Sequence, residues 1–154
     1  MGGTTLISAT VFALGLVAWQ PSAPAPKVSS VQKIMLAPSA TSVLNLTVQF
    51  VDGYHGYQNP PSDEYQLPVK VTGMKGPVRV IKVAYPAGVD FKMEGEKKAS
   101  KVYSGKVAFP VTLKAPAKAG IYKLELKLEA QQCTDRECYP PVTVSHWVTV
   151  TVKK

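Results

Sequence analysis

The two cysteines are the residues of this sequence whose type and spacing point to chemistry. Cys133 and Cys138 lie within QCTDRECYPP, residues 132–141, and no other cysteine occurs in the 154 residues. In an oxidising compartment such an even pair is expected to form a disulfide bond. The resulting six-residue ring would contribute only about 2 kcal/mol to stability. The spacing alone leaves two interpretations open, a local structural disulfide and a redox-active dithiol/disulfide.

The residues between the cysteines bear on their reactivity. Asp135, Arg136 and Glu137 carry two negative charges and one positive charge, a net charge of −1. No basic cluster or helix N-terminus is predicted nearby that would lower a thiol pKa. We therefore expect thiols of ordinary acidity, which suit an electron relay better than a strong oxidant.

Metal binding is the third interpretation of the cysteines. The remaining soft ligands are His55 and His146, and they are far apart in the sequence. Zinc sites with two cysteines and two histidines have compact spacing in each half. His146 shares a strand face with valines, which favours a histidine packed in the core or at its rim. No metal or other cofactor is expected, and no nucleophile–base constellation for hydrolysis is present.

Four aromatic or imidazole side chains cluster early in the chain. They are Tyr54, His55, Tyr57 and Tyr65. They could surround the cysteines, but their spacing fixes no geometry. Turn and rim packing is therefore the favoured interpretation.

The stretches on either side of the cysteines alternate between apolar and polar residues. In residues 122–130 the even-numbered positions are apolar, and in residues 142–152 five valines share a face with His146. Residues 44–50 alternate in the same way. A period of two predicts strands with one buried face. Weaker strands are predicted near residues 31–36, 67–71, 78–85 and 106–113.

About seven short strands without a helical period predict an all-β fold, an immunoglobulin-like antiparallel sandwich. The cysteines are then expected at or near a hairpin tip, on the surface rather than in the core. Such a place is accessible to another protein. A disulfide that braces a sandwich would join its two sheets instead.

The N-terminal residues predict export. The apolar run at residues 6–19 is short for a membrane-spanning helix and resembles the central region of a signal peptide. Residues 1–26 are thus expected to be a signal peptide or an uncleaved anchor with a Pro/Ala-rich linker, which extends over residues 20–30. The sandwich domain is expected over residues 27–154. Both alternatives place it in the periplasm or elsewhere outside the cytoplasm, either soluble after cleavage or anchored at its N-terminus.

The formal net charge of +8 does not indicate nucleic-acid binding. The lysines occur singly or in pairs, without a basic run or a recognition helix. A basic surface that aids solubility or meets acidic partners explains the charge.

Three segments carry a resemblance to a known family. QCTDRECYPP at residues 132–141 is similar to a Q-x-C-x-D-x-x-C-x-P-P signature. GYH at residues 53–55 with NPPSDEYQLP at residues 59–68 is similar to a G-x-H … P-S-x-x-Y-x-x-P segment, and VYSGKV at residues 102–107 to a Y-x-G strand start. Together they resemble the N-terminal periplasmic domain of the DsbD thiol:disulfide interchange reductases.

The resemblance implies an immunoglobulin-like domain that passes reducing equivalents to exported thiol proteins. A membrane-embedded thiol reductase would be the electron donor. Periplasmic disulfide isomerases or thioredoxin-like proteins of cytochrome c maturation would be the acceptors. Cys138 would exchange with the partner, Cys133 would resolve the mixed disulfide, and Phe91 in residues 89–95 is the candidate aromatic cap. An ordinary core position for Phe91 is the alternative.

The sequence departs from the full-length reductases in one respect. Those proteins continue into membrane helices and a thioredoxin-like domain with a C-x-x-C motif, and these 154 residues contain neither. An oxidoreductase component without its own electron source is therefore expected, which leaves open whether it acts as an enzyme. The alternative function is a non-catalytic immunoglobulin-like interaction or assembly module with a local structural disulfide.

Overall fold

The computed structural model describes residues 21–154, which form eleven β-strands and contain no helix long and apolar enough to cross a membrane. Residues 1–20, which include the apolar run at residues 6–19 of the predicted signal peptide or anchor, lie outside the described residues. The strands are β1 (Lys27–Ser29), β2 (Lys33–Leu36), β3 (Thr41–Gln49), β4 (His55–Tyr57), β5 (Lys70–Gly73), β6 (Arg79–Val83), β7 (Val89–Phe91), β8 (Ser100–Ser104), β9 (Lys106–Lys114), β10 (Gly120–Ala130) and β11 (Val142–Val152).

Two four-stranded sheets form the sandwich. Their strand orders are β1-β3-β9-β6 and β2-β11-β10-β5, and β4-β8-β7 form a smaller third sheet. The predicted all-β sandwich is confirmed. The strands number eleven rather than about seven because β1, β4 and β7 have three residues each, too few to show a period. The pairing also departs from a purely antiparallel pattern, because β2 runs parallel to β11.

The sandwich core follows the predicted alternation. In β10 the even-numbered side chains from Leu124 to Ala130 are buried, and in β11 the same holds for Val148, Val150 and Val152. β3 and β9 supply the facing side chains, among them Phe109, which is fully buried. Complete burial of each large apolar side chain contributes about 1.5–3 kcal/mol, so this aliphatic layer is the main source of stability.

The third sheet is attached to the sandwich through Tyr103 of β8. Its ring packs edge-on against Phe109, with centroids 5.1 Å apart, and its hydroxyl donates a hydrogen bond to the carbonyl of Pro86 at 2.8 Å. Gly56 of β4 faces the core, where a Cβ atom would lie only 2.7 Å from Val69 Cγ2. Because neighbouring side chains of a strand point to opposite faces, His55 and Tyr57 point away from that contact.

The segment before β1 packs against the domain, in contrast to the linker predicted for residues 20–30. β1 pairs with β3, and Ala23 is only 5% exposed. The side-chain amide of Gln132 donates a hydrogen bond to the carbonyl of Pro24. The chain therefore reaches β1 by passing beside the cysteine segment.

Candidate redox site

The connection between β10 and β11 carries the disulfide bond Cys133–Cys138. The two cysteines form an antiparallel bridge, and Thr134 N donates to the carbonyl of Glu137 at 2.8 Å. On the outer side Tyr139 N donates to the carbonyl of Gln132 at 2.9 Å. Directly opposite residues of an antiparallel pair place their side chains on one face, so the backbone holds the two sulfur atoms together.

The two cysteines differ sharply in exposure. Cys133 is 0% exposed, whereas Cys138 is exposed. The predicted surface position is therefore right for Cys138 and wrong for Cys133. Cys133 is buried because its backbone extends the third sheet: it exchanges two hydrogen bonds of 2.9 Å with His55 of β4.

A small apolar cluster surrounds the disulfide, separate from the sandwich core. Tyr57, Val102 and Cys133 are its buried members, and Phe91 and Met93 pack against them half-buried. The Tyr57 hydroxyl donates to Met93 Sδ at 3.6 Å and lies 3.8 Å from Cys138 Sγ. Aromatic, thioether and disulfide groups thus lie together in this cluster.

Phe91 belongs to this cluster. Its ring centroid lies 4.2 Å from that of His55, the residue paired with Cys133. Phe91 therefore packs against the disulfide cluster, and its role as a cap stays a prediction.

The loop after β7 is fastened to the cysteine hairpin by few contacts. Glu94 N donates to the carbonyl of Asp135 at 2.9 Å, and the Glu94 carboxylate pairs with Arg136 Nε at 3.2 Å. Both side chains of this ion pair are largely exposed, so it contributes little to stability. A segment held in this way can open locally at low cost.

Cys138 lies between two cavities. One of about 580 Å³ has Tyr57, Tyr65, Lys97 and Cys138 in its lining. The other, of about 310 Å³, includes Pro21, Tyr139 and Cys138. Cys138 is therefore accessible from two neighbouring depressions of the surface.

Burial shifts the pKa values of two titratable side chains at the site. It lowers the pKa of His55, an effect that the carboxylates of Glu96 and Asp135 oppose, and it raises the pKa of Tyr57. At the rim, the hydrogen bond from the Tyr139 hydroxyl to Glu137, 2.6 Å long, raises the pKa of Tyr139 to about 12.

The favoured interpretation of the early aromatic residues is wrong for His55 and Tyr57, which both line the disulfide. Tyr65 is 86% exposed and borders the cavity that Cys138 also lines. The sequence does carry a signal for their shared position. His55 and Tyr57 stand on either side of Gly56, and side chains two residues apart lie on the same face of a strand. Tyr54 also reaches the hairpin, with its ring 5.9 Å from Tyr139.

The second histidine lies elsewhere. His146 is half-buried in β11 and hydrogen-bonds to Ser30 Oγ at 2.8 Å, as expected for a rim residue. Within residues 21–154 no group of three or more His, Cys, Asp or Glu side chains is arranged to hold a metal ion.

Comparisons with known proteins identify a family and structures that are similar to this chain. The family model described as thiol:disulfide interchange protein DsbD, N-terminal, matches residues 22–148. The crystal structure of the Neisseria meningitidis DsbD N-terminal domain in the reduced form aligns with a TM-score of 0.51 at 19% identity, over 82% of this chain and 84% of that one. The PapD-like domain 7 of human CEP192 aligns with a TM-score of 0.42 at 13% identity, over 96% and 99% of the two chains. A search of curated protein sequences found no match.

Proposed function

This chain belongs to the family of N-terminal domains of the thiol:disulfide interchange protein DsbD, and on that premise we propose that it relays electrons by thiol–disulfide exchange through Cys133 and Cys138. The observation that carries the proposal is the unequal exposure of the two cysteines, because Cys133 is buried and Cys138 is exposed. The rate of thiol–disulfide exchange depends on access to the sulfur that is attacked, so the exposed cysteine suits exchange with a partner and the buried one suits the resolving step.

The exposed residue, Cys138, is the exchanging cysteine in this proposal. Its thiolate attacks a disulfide of the partner, which forms a mixed disulfide and releases one partner thiolate. Cys133 then attacks Cys138 Sγ, which closes the Cys133–Cys138 bond and releases the second partner thiolate. Two electrons pass from the dithiol to the partner, and a donor dithiol restores the reduced form by the reverse steps.

Phe91 and the loop that follows it form the cap over this disulfide in the proposal. The Phe91 ring packs on His55, and Met93 lies beside the Tyr57 hydroxyl that approaches Cys138. The few contacts between Glu94 and the cysteine hairpin allow a docking partner to displace the segment. Small thiols in solution lack the binding energy to do so.

The partners follow from the family. We assign the donor role to a membrane-embedded thiol reductase. The acceptor role falls to a periplasmic disulfide isomerase or to thioredoxin-like proteins of cytochrome c maturation. Exchange of this kind requires a compartment in which disulfides persist, so the proposed location is the periplasm.

Capture of partners tests the relay. Cys133→Ala leaves Cys138 without its resolving cysteine, so mixed disulfides with periplasmic thiol proteins should accumulate and be separable on non-reducing gels. The matched variant Cys138→Ala keeps only the buried sulfur and should capture almost nothing. Equal capture by both variants, or by neither, would contradict the assignment of Cys138.

The reduction potential separates the relay from the non-catalytic interaction module. A structural disulfide is expected below about −300 mV, and a relay disulfide well above that value. Equilibration of the purified domain with redox buffers of defined potential gives the reduction potential of the disulfide. A value below about −300 mV would favour the non-catalytic interaction module.

A further inference from the structure

We propose that His55 is the proton acceptor for the buried Cys133 thiol when that thiol closes the disulfide, an inference that rests on the relay function proposed above. The assignment follows from how the backbone pairs the two residues and from an unpartnered nitrogen of the imidazole. It adds a third residue to the two cysteines that exchange electrons.

The backbone fixes His55 against Cys133. Each residue donates its N–H to the carbonyl of the other, at 2.9 Å in both directions. Directly opposite residues of an antiparallel pair point to the same face, with Cβ atoms about 4.5–5.5 Å apart. The side chains of His55 and Cys133 therefore lie on the same face, the one that carries the disulfide.

The imidazole has a nitrogen without a partner. His55 is 3% exposed, and no atom of residues 21–154 forms a hydrogen bond with its Nε2. Native structures rarely bury such an atom unpaired. The disulfide sulfur of Cys133 has no hydrogen to donate, but the reduced thiol does. The S–H of the reduced state is thus a suitable partner for this nitrogen.

The surroundings keep the imidazole neutral. Phe91 covers it with a ring 4.2 Å away, and Tyr57 of the same strand meets it edge-on at 6.3 Å. Burial lowers its pKa, while Glu96 and Asp135 act in the opposite direction with less effect. A neutral imidazole can accept a proton, and the Cys133 thiolate formed would stabilise the imidazolium as an ion pair.

The resolving step then balances as follows. The Cys133 S–H transfers its proton to His55, and the thiolate attacks Cys138 Sγ of the mixed disulfide. The Cys133–Cys138 bond forms, the bond between Cys138 and the partner breaks, and the partner sulfur leaves as a thiolate. The imidazolium returns its proton to that thiolate or to water, so His55 is neutral again at the end.

Titration of the isolated thiol is the first test, and it requires no partner protein. In a Cys138→Ala background Cys133 is the remaining cysteine, and ultraviolet absorbance of the thiolate reports its ionisation. We expect His55→Gln to raise the apparent Cys133 pKa by about one pH unit, because Gln cannot take up the thiol proton and the ion pair of thiolate and imidazolium no longer forms. The control His146→Gln should leave it unchanged. Identical titrations with and without His55 would overturn the inference.

Nuclear magnetic resonance of the ring protons gives a readout that does not depend on the folding of the His55 variant. The chain has only two histidines. In reduced protein that retains His55, its ring signals should show a step at the pH where Cys133 ionises, because the two groups titrate as a coupled pair. That step should be missing in the oxidised protein and in Cys133→Ala. A His55 ring insensitive to the redox state would count against the proposal.

Kinetics of ring closure form the last test. The reduced domain is mixed with a small aromatic disulfide that releases a coloured thiolate when it is attacked. Attack by Cys138 releases the first coloured thiolate, and ring closure by Cys133 releases the second. Near neutral pH an ordinary thiol is only a few per cent ionised, so His55→Gln should slow the second release relative to the first on the order of tenfold. The difference should vanish above the ordinary thiol pKa of about 8.5. If the ratio of the two release rates is the same in His55→Gln as in wild type, the role of His55 is refuted and the relay is not. If Cys133→Ala captures no partner, the relay is refuted by a measurement that does not involve His55.

Discussion

The sandwich core and the disulfide cluster are built on opposite principles. The core consists of aliphatic and aromatic side chains on long strands that alternate strictly, such as β10 and β11. The disulfide cluster is assembled from β4, β7, β8 and the cysteine hairpin, and it mixes a phenol, a thioether, an imidazole and sulfur. The first arrangement maximises buried apolar area. The second places reactive and polar groups next to each other in a site that is only partly covered.

The difference indicates that the sandwich core and the disulfide cluster have separate roles, stability and reactivity. The core carries the stability, so the disulfide cluster can tolerate an unpaired His55 nitrogen, a half-buried Phe91 and a lightly attached loop. Tyr103 connects the two regions, because its ring lies in the core while its strand β8 lines the cluster. If this division is correct, substitutions in the core should change stability, and substitutions in the cluster should change disulfide reactivity.

The largest effect is expected from truncation in the core. Leu113 is fully buried in β9, so Leu113→Ala should cost about 2–5 kcal/mol through lost burial and a residual cavity. Val43 in the adjacent strand is 61% exposed, and Val43→Ala should change stability by less than about 0.5 kcal/mol. Urea denaturation measures both. A faster disulfide reduction in folded Leu113→Ala than in wild type would break the separation of the two regions.

Reduction of the disulfide should have a smaller effect on stability. The six-residue ring restricts the unfolded chain little, so the expected loss is about 2 kcal/mol or less. Thermal melts with and without reductant measure it, with the double variant Cys133→Ala/Cys138→Ala in oxidising buffer as the control. A reduced protein that is unfolded at room temperature would make the bond structural and remove the main support for a relay.

The two regions also differ in how far the sequence predicts them. A period of two makes much of the core visible, because residues 44–50, 122–130 and 142–152, which lie mostly in β3, β10 and β11, alternate between apolar and polar side chains. The cluster lacks such a signal: β4 and β7 have three residues each, and His55 meets Cys133 across 78 positions, from 55 to 133. Long-range pairing of short strands leaves no local pattern. The cysteines are marked by their residue type and spacing, whereas only the family resemblance points to Phe91 as a candidate cap.

Removal of the candidate cap should act mainly on reactivity. Phe91 is half-buried, so Phe91→Ala should cost about 1 kcal/mol, well below the about 3–5 kcal/mol of a fully buried phenylalanine. Reduction of the disulfide by dithiothreitol should become faster because the ring over His55 is lost. Val89→Ala is the matched control, since Val89 lies in the same strand and is 57% exposed. An unchanged rate would end the cap hypothesis and leave the cysteine assignment untouched.

The smallest expected effect concerns the pH dependence of stability. Burial lowers the pKa of both His55 and His146 in the folded protein. The unfolded chain therefore binds protons more readily below about pH 6.5, and linkage requires stability to fall as the pH drops through the folded-state pKa values. His55 is almost completely buried and His146 only half-buried, so His55→Gln should remove more of this loss than His146→Gln. Denaturation midpoints of the oxidised proteins, measured from neutral to mildly acidic pH, show how steeply the stability of each variant changes with pH. A wild-type stability that rises on acidification, and does so less in His55→Gln, would mean that Glu96 and Asp135 outweigh burial at His55. The imidazole would then keep its proton to a higher pH than an ordinary histidine, and less of it would be free to accept the Cys133 proton.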